Sequence, residues 1–229
     1  MPDITAMFAI PLVKDNGFTN HSQLKEVIAS IIDNRECTSE DFRLSGIQNY
    51  FNSSEQTLFD LSSEYDVLRE LERYCLHELN YCMTNVLCKE NGNGGIITDS
   101  WINVTSSDRA WQLWHSHANS YLSATYYVNY DKEKHQNLMF DGQPTADSRQ
   151  YLLLNDLEVL ENDSLGKYCK RFYTPDINEG DLIMWPSHIL HGYGDGYSSR
   201  TYEPGRCSIS MNYLPKKVSS GPYSFYISK

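Results

Sequence analysis

The sequence contains six cysteines but lacks any Cys-x-x-Cys pair, and Cys37, Cys75, Cys82, Cys88, Cys169 and Cys207 form no even framework. That pattern argues against a zinc ribbon or a disulfide scaffold and reads as reduced, mostly buried thiols. Basic residues are scarce: 19 Lys and Arg stand against 30 Asp and Glu, giving a formal net charge of -11. The densest basic cluster, Lys167, Lys170 and Arg171, lies near Glu161 and Asp163. A nucleic-acid backbone is repelled by such a surface, so no nucleic-acid partner is expected. No apolar run reaches the length of a membrane span. Nor does the start resemble a signal peptide, because Asp3 stands where a basic segment belongs and Pro11 interrupts Met7 to Val13. The expectation is a cytoplasmic protein with no membrane partner. No Pro, Gly or Ser tract marks a linker, so residues 1–229 read as a single domain.

What is present divides in two. Residues 1–92 read as a strand plus a helical buttress. Ala6 to Val13 suits a strand, and Asn20 with Gln23 has capping-box spacing ahead of Leu24, Val27, Ile28, Ile31 and Ile32. Leu44 to Ser54 has loop chemistry. A longer helix is expected from about Glu64 to Cys88, its stripe of Leu68, Leu71, Cys75, Leu79, Cys82 and Val86 stepping by three or four residues. His77 lies in that helix as a lone histidine and is assigned no chemistry. After the glycine-rich stop at Asn91 to Gly95, residues 93–229 change character. Short runs rich in Tyr, Trp, Val, Ile and Ser fall at 96–104, 111–117, 120–129, 138–140, 169–173, 181–185 and 206–214. The fold class expected is mainly β with N-terminal helices: a jelly roll or cupin-like barrel buttressed by helices.

Three segments carry chemistry. In a strand, His115 and His117 at i and i+2 send both imidazoles to one face, where they can share an ion. Imidazole suits iron, zinc, copper or nickel, so the pair leaves the metal open. A second segment, Asn178 to His191, holds a turn at Glu179-Gly180-Asp181, a buried strand from Leu182 to Trp185, and two further histidines. His191 is preferred over His188 as a third ligand, because His188 sits by Pro186 and Ser187 in a turn while an apolar dipeptide anchors His191. In the third segment, Arg206, Ser208, Ser210 and Asn212 alternate with Cys207, Ile209, Met211 and Tyr213. An arginine and a serine facing a barrel interior can clamp a carboxylate, although an edge strand with a solvated polar face has the same pattern.

Taken with Met7-Phe-Ala-Ile-Pro-Leu12, Phe59 to Leu68, Trp101-Ile-Asn-Val104, Leu122 to Val128 and Gly180 to Ser187, these segments resemble the bacterial and phage 2-oxoglutarate/Fe(II) oxygenases, distant relatives of prolyl hydroxylases. The resemblance runs over nearly the whole chain. It implies a double-stranded β-helix, the cofactors Fe(II) and 2-oxoglutarate, His115 and His191 as metal ligands, and Arg206 with Ser208 on the distal carboxylate of 2-oxoglutarate. Asn103 and whichever of Tyr126 and Tyr127 faces inward would line the pocket.

The departure is His117, where the wider family has a carboxylate. A loop carboxylate from Asp108, Asp131 or Asp141, with Asp141 the best placed, would be an alternative to it. Three histidines also suit a zinc enzyme, and a catalytically inactive cupin-like binding protein is a further alternative. Trp101, Trp111, Trp114 and Trp185 suit a pocket for an amino acid, peptide or small metabolite, and equally a core. The insertions at 131–136 and 142–163 are long enough for lids or for covers of the sheet.

Overall fold

The computed structural model describes residues 10–37, 44–52, 55–87, 89, 94–141, 172–193, 201–220 and 223–227. Residues 6–9 of the strand expected at Ala6 to Val13, the cluster at 167–171, the insertion at 142–163, Cys88 and Cys169 lie outside the described residues; residues 10–12 are in no regular element, and the strand found there is Val13–Asp15.

Two antiparallel sheets are built from short strands. The larger contains β1 (Val13–Asp15), β3 (Ile47–Tyr50), β4 (Gly95–Thr105), β6 (Leu122–Asn129), β9 (Leu182–Pro186) and β11 (Cys207–Pro215), in the order β1-β9-β6-β11-β4-β3. The smaller contains β2 (Leu44–Ser45), β5 (Trp111–His115), β7 (Met139–Asp141), β8 (Phe172–Tyr173) and β10 (Leu190–Tyr193), in the order β2-β5-β10-β7-β8. A separate hairpin pairs β12 (Lys217–Ser220) with β13 (Tyr223–Tyr226).

Helices α1 (His21–Asp33) and α2 (Asp66–Tyr81) cover the outer face of the larger sheet. Leu24, Ile28 and Ile31 from α1 and Leu68, Leu71, Cys75 and Leu79 from α2 meet Ile102, Tyr126, Ile209, Met211 and Tyr213 in one buried cluster. Each fully buried leucine there contributes roughly 1.5–3 kcal/mol. The expected fold, helices buttressing a double-stranded β-helix, is the one found.

Several local expectations differ. The stretch from Glu64 to Cys88 read as one long helix is α2 followed by a π turn at Cys82–Val86, and a 3-10 turn at Leu58–Ser63 precedes it. Asn20 precedes α1 but makes no side-chain cap, because its amide donates to Glu70 of α2 instead. The largest difference is at residues 44–50, read as loop: there β2 joins the smaller sheet and β3 the larger. Gly46 makes this switch possible, since its φ of 64° is open to a glycine and a Cβ would meet the Ser107 Cβ at 2.5 Å. Polar residues at these edge positions hide the strands from a reading based on apolar alternation.

A close approach of another kind fixes β4 against β11. A Cβ on Gly95 would lie 2.1 Å from ring carbons of Tyr213, whose hydroxyl donates to Asn80 Oδ1 on α2 at 2.8 Å. Tyr213 is fully buried and cannot swing away. Gly95→Ala is therefore expected to destabilise the fold by about 1–3 kcal/mol, read as a lowered urea midpoint with unchanged slope.

Candidate metal and cosubstrate site

The pairing of β10 with β5 sets His191 directly across from His115. Strand β5 ends at His115, so His117 lies just beyond it, held where its backbone N–H donates to the Ser187 carbonyl at 2.9 Å. Ligand nitrogens of the three imidazoles lie within 4.8 Å of one another. Two of the rings are oriented by the backbone. The Nδ1 of His115 is 2.8 Å from the Leu113 carbonyl, and that of His191 is 2.9 Å from the Ile189 carbonyl. A carbonyl only accepts, so Nδ1 carries the proton and Nε2 keeps the lone pair that a metal needs. Burial, and then the charge of His115, push the His191 pKa well below its ordinary value, so that ring stays neutral. Trp185 and Phe140 pack against it.

His188 is exposed in the turn before β10 and lies outside this group. The three candidate carboxylates also lie elsewhere. Asp141 stands opposite Leu190 while Phe140 stands opposite His191, so strand alternation turns Asp141 to the other face of the sheet. Asp131 closes the turn at 131–135, accepting from the Glu133 N–H, and Asp108 is exposed. Among the described residues no carboxylate joins the three imidazoles.

Deeper between the sheets, one narrow cavity is lined by the histidines and by Arg206, Ser208, Asn103 and Tyr193. Arg206 is 2% exposed. Its guanidinium lies 4.5 Å over the Tyr193 ring and 5.1 Å over that of Tyr127, and donates to the Tyr127 hydroxyl at 3.4 Å. Among the described residues its Nε has no hydrogen-bond partner, and neither does the buried Ser208 hydroxyl, while the Tyr193 hydroxyl beside the guanidinium makes no well-formed hydrogen bond. Among the described residues no acid neutralises Arg206. Burial raises the pKa of Tyr127 and Tyr193, which therefore remain phenols able to donate. An isolated buried cation is costly, and these orphaned donors fit a carboxylate ligand.

Asn103 is buried in the same wall. Its Oδ1 accepts from Asn49 Nδ2 at 2.7 Å, and its Nδ2 donates to Ser210 Oγ at 3.0 Å. Of the two tyrosines, Tyr127 faces this interior, whereas Tyr126 faces the helices and bonds to His21 Nδ1 at 2.8 Å. Trp101 stacks on His117 and Trp185 lines the cavity, but Trp114 points the other way onto Phe172. The sequence reading missed Tyr193 and Asn49. The signal for Tyr193 was its i+2 spacing from His191, legible only once residues 190–193 are known to be a strand.

Residues 99–212 match the family model described as "Putative 2OG-Fe(II) oxygenase". No curated protein matches the chain by sequence. Solved structures share the fold at low identity. The non-heme alpha-ketoglutarate-dependent epimerase SnoN from nogalamycin biosynthesis is 14% identical, with 91% of this chain and 77% of that one covered at a TM-score of 0.57. HygX from Streptomyces hygroscopicus, with nickel and 2-oxoglutarate bound, is 10% identical, with 90% and 83% covered and a TM-score of 0.52. A prolyl-4-hydroxylase from Pseudomonas putida is 11% identical, with 89% and 92% covered and a TM-score of 0.50. The family match spans the strands that carry the imidazole cluster and the buried guanidinium, and the chain belongs to the 2-oxoglutarate- and Fe(II)-dependent oxygenases.

Proposed function

We propose that His115, His117 and His191 hold Fe(II), and that Arg206 with Ser208 anchors the distal carboxylate of 2-oxoglutarate. The reading rests on one observation: a fully buried guanidinium and a neighbouring serine hydroxyl, both short of partners, share a cavity with three converging imidazoles. When bound there, iron and 2-oxoglutarate supply the oxidative decarboxylation that gives succinate and CO2 and delivers the second oxygen atom of O2 to a substrate C–H bond. The chain supplies position and charge. Arg206 offers the fixed cation, Ser208 and Tyr193 offer hydroxyl donors, and Tyr127 holds the guanidinium in place. Asn103, locked between Asn49 and Ser210, forms part of the wall and keeps its amide from turning. Trp185 and Phe140 keep water from the buried ring of His191.

The substrate class that suits this site is an amino acid, a peptide or a small metabolite, hydroxylated at an unactivated carbon. Among fold relatives, HygX is seen with hygromycin B, and a Trichoplax adhaerens prolyl hydroxylase with a peptide fragment. A three-histidine zinc enzyme explains the imidazoles but gives Arg206 no role, and an inactive binding protein explains neither. We read residues 1–229 as one domain acting in the cytoplasm. Among the described residues, no helix is long and apolar enough to cross a membrane.

Anaerobic loading with Fe(II) and 2-oxoglutarate, followed by air and a measurement of succinate, tests the reading, and a chelator should abolish release. Single His115→Ala, His117→Ala and His191→Ala variants should fall well below one iron per chain by metal analysis while keeping their far-ultraviolet dichroism. His117→Asp, which supplies the carboxylate usual in the wider family, should retain one iron per chain. Arg206→Gln should raise the 2-oxoglutarate concentration needed for half-maximal succinate release roughly 10- to 100-fold, the value of a charge-assisted hydrogen bond. Unaltered 2-oxoglutarate dependence in that variant would remove Arg206 from the site.

A further inference from the structure

Outside the narrow cavity, the barrel mouth widens into an open cleft of about 260 Å³ whose floor includes His115 and His117. Its walls are unusual in composition. Asn49, Asn52, Asn119 and Asn212 surround it, Trp101 forms one side, and Asp99 is the single carboxylate among the described lining residues. No Lys or Arg is among its described lining residues, and Arg206 faces the inner cavity alone.

Asp99 is held but not neutralised. Its Oδ2 accepts from Asn212 Nδ2 at 3.2 Å and from Thr98 Oγ1 at 2.9 Å, while its Oδ1 has no partner among the described residues. The Asp99 carboxylate is half-buried on β4, two residues before Trp101 and so on the same side of the strand. Trp101 in turn stacks on His117, with ring centroids 6.0 Å apart at 20°. A negative charge, an indole face and the imidazole cluster therefore line one short path.

Resting on the oxygenase reading of the site, we propose that this cleft receives a substrate bearing a protonated amine or comparable cationic group, bound by Asp99. The free carboxylate oxygen supplies a charge-assisted acceptor, and an aromatic face next to it favours a cation. The asparagine amides offer both donors and acceptors to the uncharged remainder of the molecule. A carboxylate-bearing substrate would meet Asp99 with no Lys or Arg in the described lining to offset it, the charge of Fe(II) being balanced by the two carboxylates of 2-oxoglutarate, and like charges brought together are disfavoured. The separation also keeps the two ligands apart: the anion of the cosubstrate belongs with Arg206 inside, and the cation of the substrate belongs with Asp99 outside.

The experiment uses three probes of one backbone, the N-acetyl N-methylamides of lysine, norleucine and glutamate. Each is titrated by calorimetry into unmutated protein loaded anaerobically with Fe(II) and 2-oxoglutarate. The lysine probe should bind about tenfold more tightly than the norleucine probe, and the glutamate probe should bind most weakly. In Asp99→Asn, the lysine-to-norleucine ratio should fall toward one. A lysine probe that fails to bind at millimolar concentration, or ranks level with or below either other probe in unmutated protein, overturns the proposal without relying on a variant. A ratio that survives Asp99→Asn overturns the assignment to that residue. Failure to take up Fe(II) and 2-oxoglutarate would appear before any probe is added, and would instead sink the oxygenase reading.

Discussion

Strand β11 is the constraint on which both halves of this molecule depend. Its alternation sends Ile209, Met211 and Tyr213 into the helical layer and Ser208, Ser210 and Asn212 into the barrel. A slip of one residue would exchange the two sets, placing hydroxyls among leucines and a tyrosine in the polar interior. Register is thus defended by the apolar face and used by the polar one. The long pairing of β11 with β4 on one side and β6 on the other carries that register across the sheet. Asn103 bonds diagonally to Ser210 through it, and Ser210 lies directly opposite Thr125.

Such a polar interior is tolerated because most of its groups satisfy one another. Ser120, Ser123, Ser187 and Asn212 form a connected set, and Asn49, Asn103, Ser210 and Thr125 form a second. Four exceptions share one cavity. Among the described residues, Arg206 Nε, Ser208 Oγ, Tyr193 Oη and Trp185 Nε1 are buried without well-formed partners, and all four belong to residues lining it; others, such as Ser62 Oγ and Gln136 Oε1, lie elsewhere. Buried donors left unmatched are costly where they are scattered through a core. Gathered around one cavity, they are donors of the kind that an anionic ligand satisfies, which is what the proposed function draws on.

How much of this was legible beforehand follows from the kind of signal each element carries. Helix α2 and strand β11 show strong periods: α2 buries the stripe read from it, and both faces of β11 are covered, the apolar one by the helices and the polar one by the barrel interior. The histidines at 115 and 117 could be read as a pair from spacing alone. Their meeting with His191 depends on the β5–β10 register, a long-range pairing that no local pattern encodes. Strands β2 and β3 were hidden for a different reason: Gln48, Asn49 and the glycine switch at Gly46 have turn chemistry, and only the tertiary setting draws them into sheets. Asn49 was lost to the site with them. The wrong carboxylate candidate, Asp141, was suggested by nearness in sequence to an apolar run, and strand alternation places it on the opposite face from His191.

The position of His117 connects these features. It lies beyond the end of β5, tied by its backbone to Ser187 and by its ring to Trp101, so it belongs both to the rigid interior and to the open mouth. A carboxylate there would bring a second negative charge close to the cleft that already contains Asp99. Imidazole brings none. With a neutral third ligand, the one acidic group in the described lining of the mouth is Asp99, and the one buried Lys or Arg among the described residues is Arg206, each in its own chamber. Replacing the usual acid by histidine therefore changes more than the charge at the metal: it leaves Asp99 as the one acidic side chain in the described lining of the entrance.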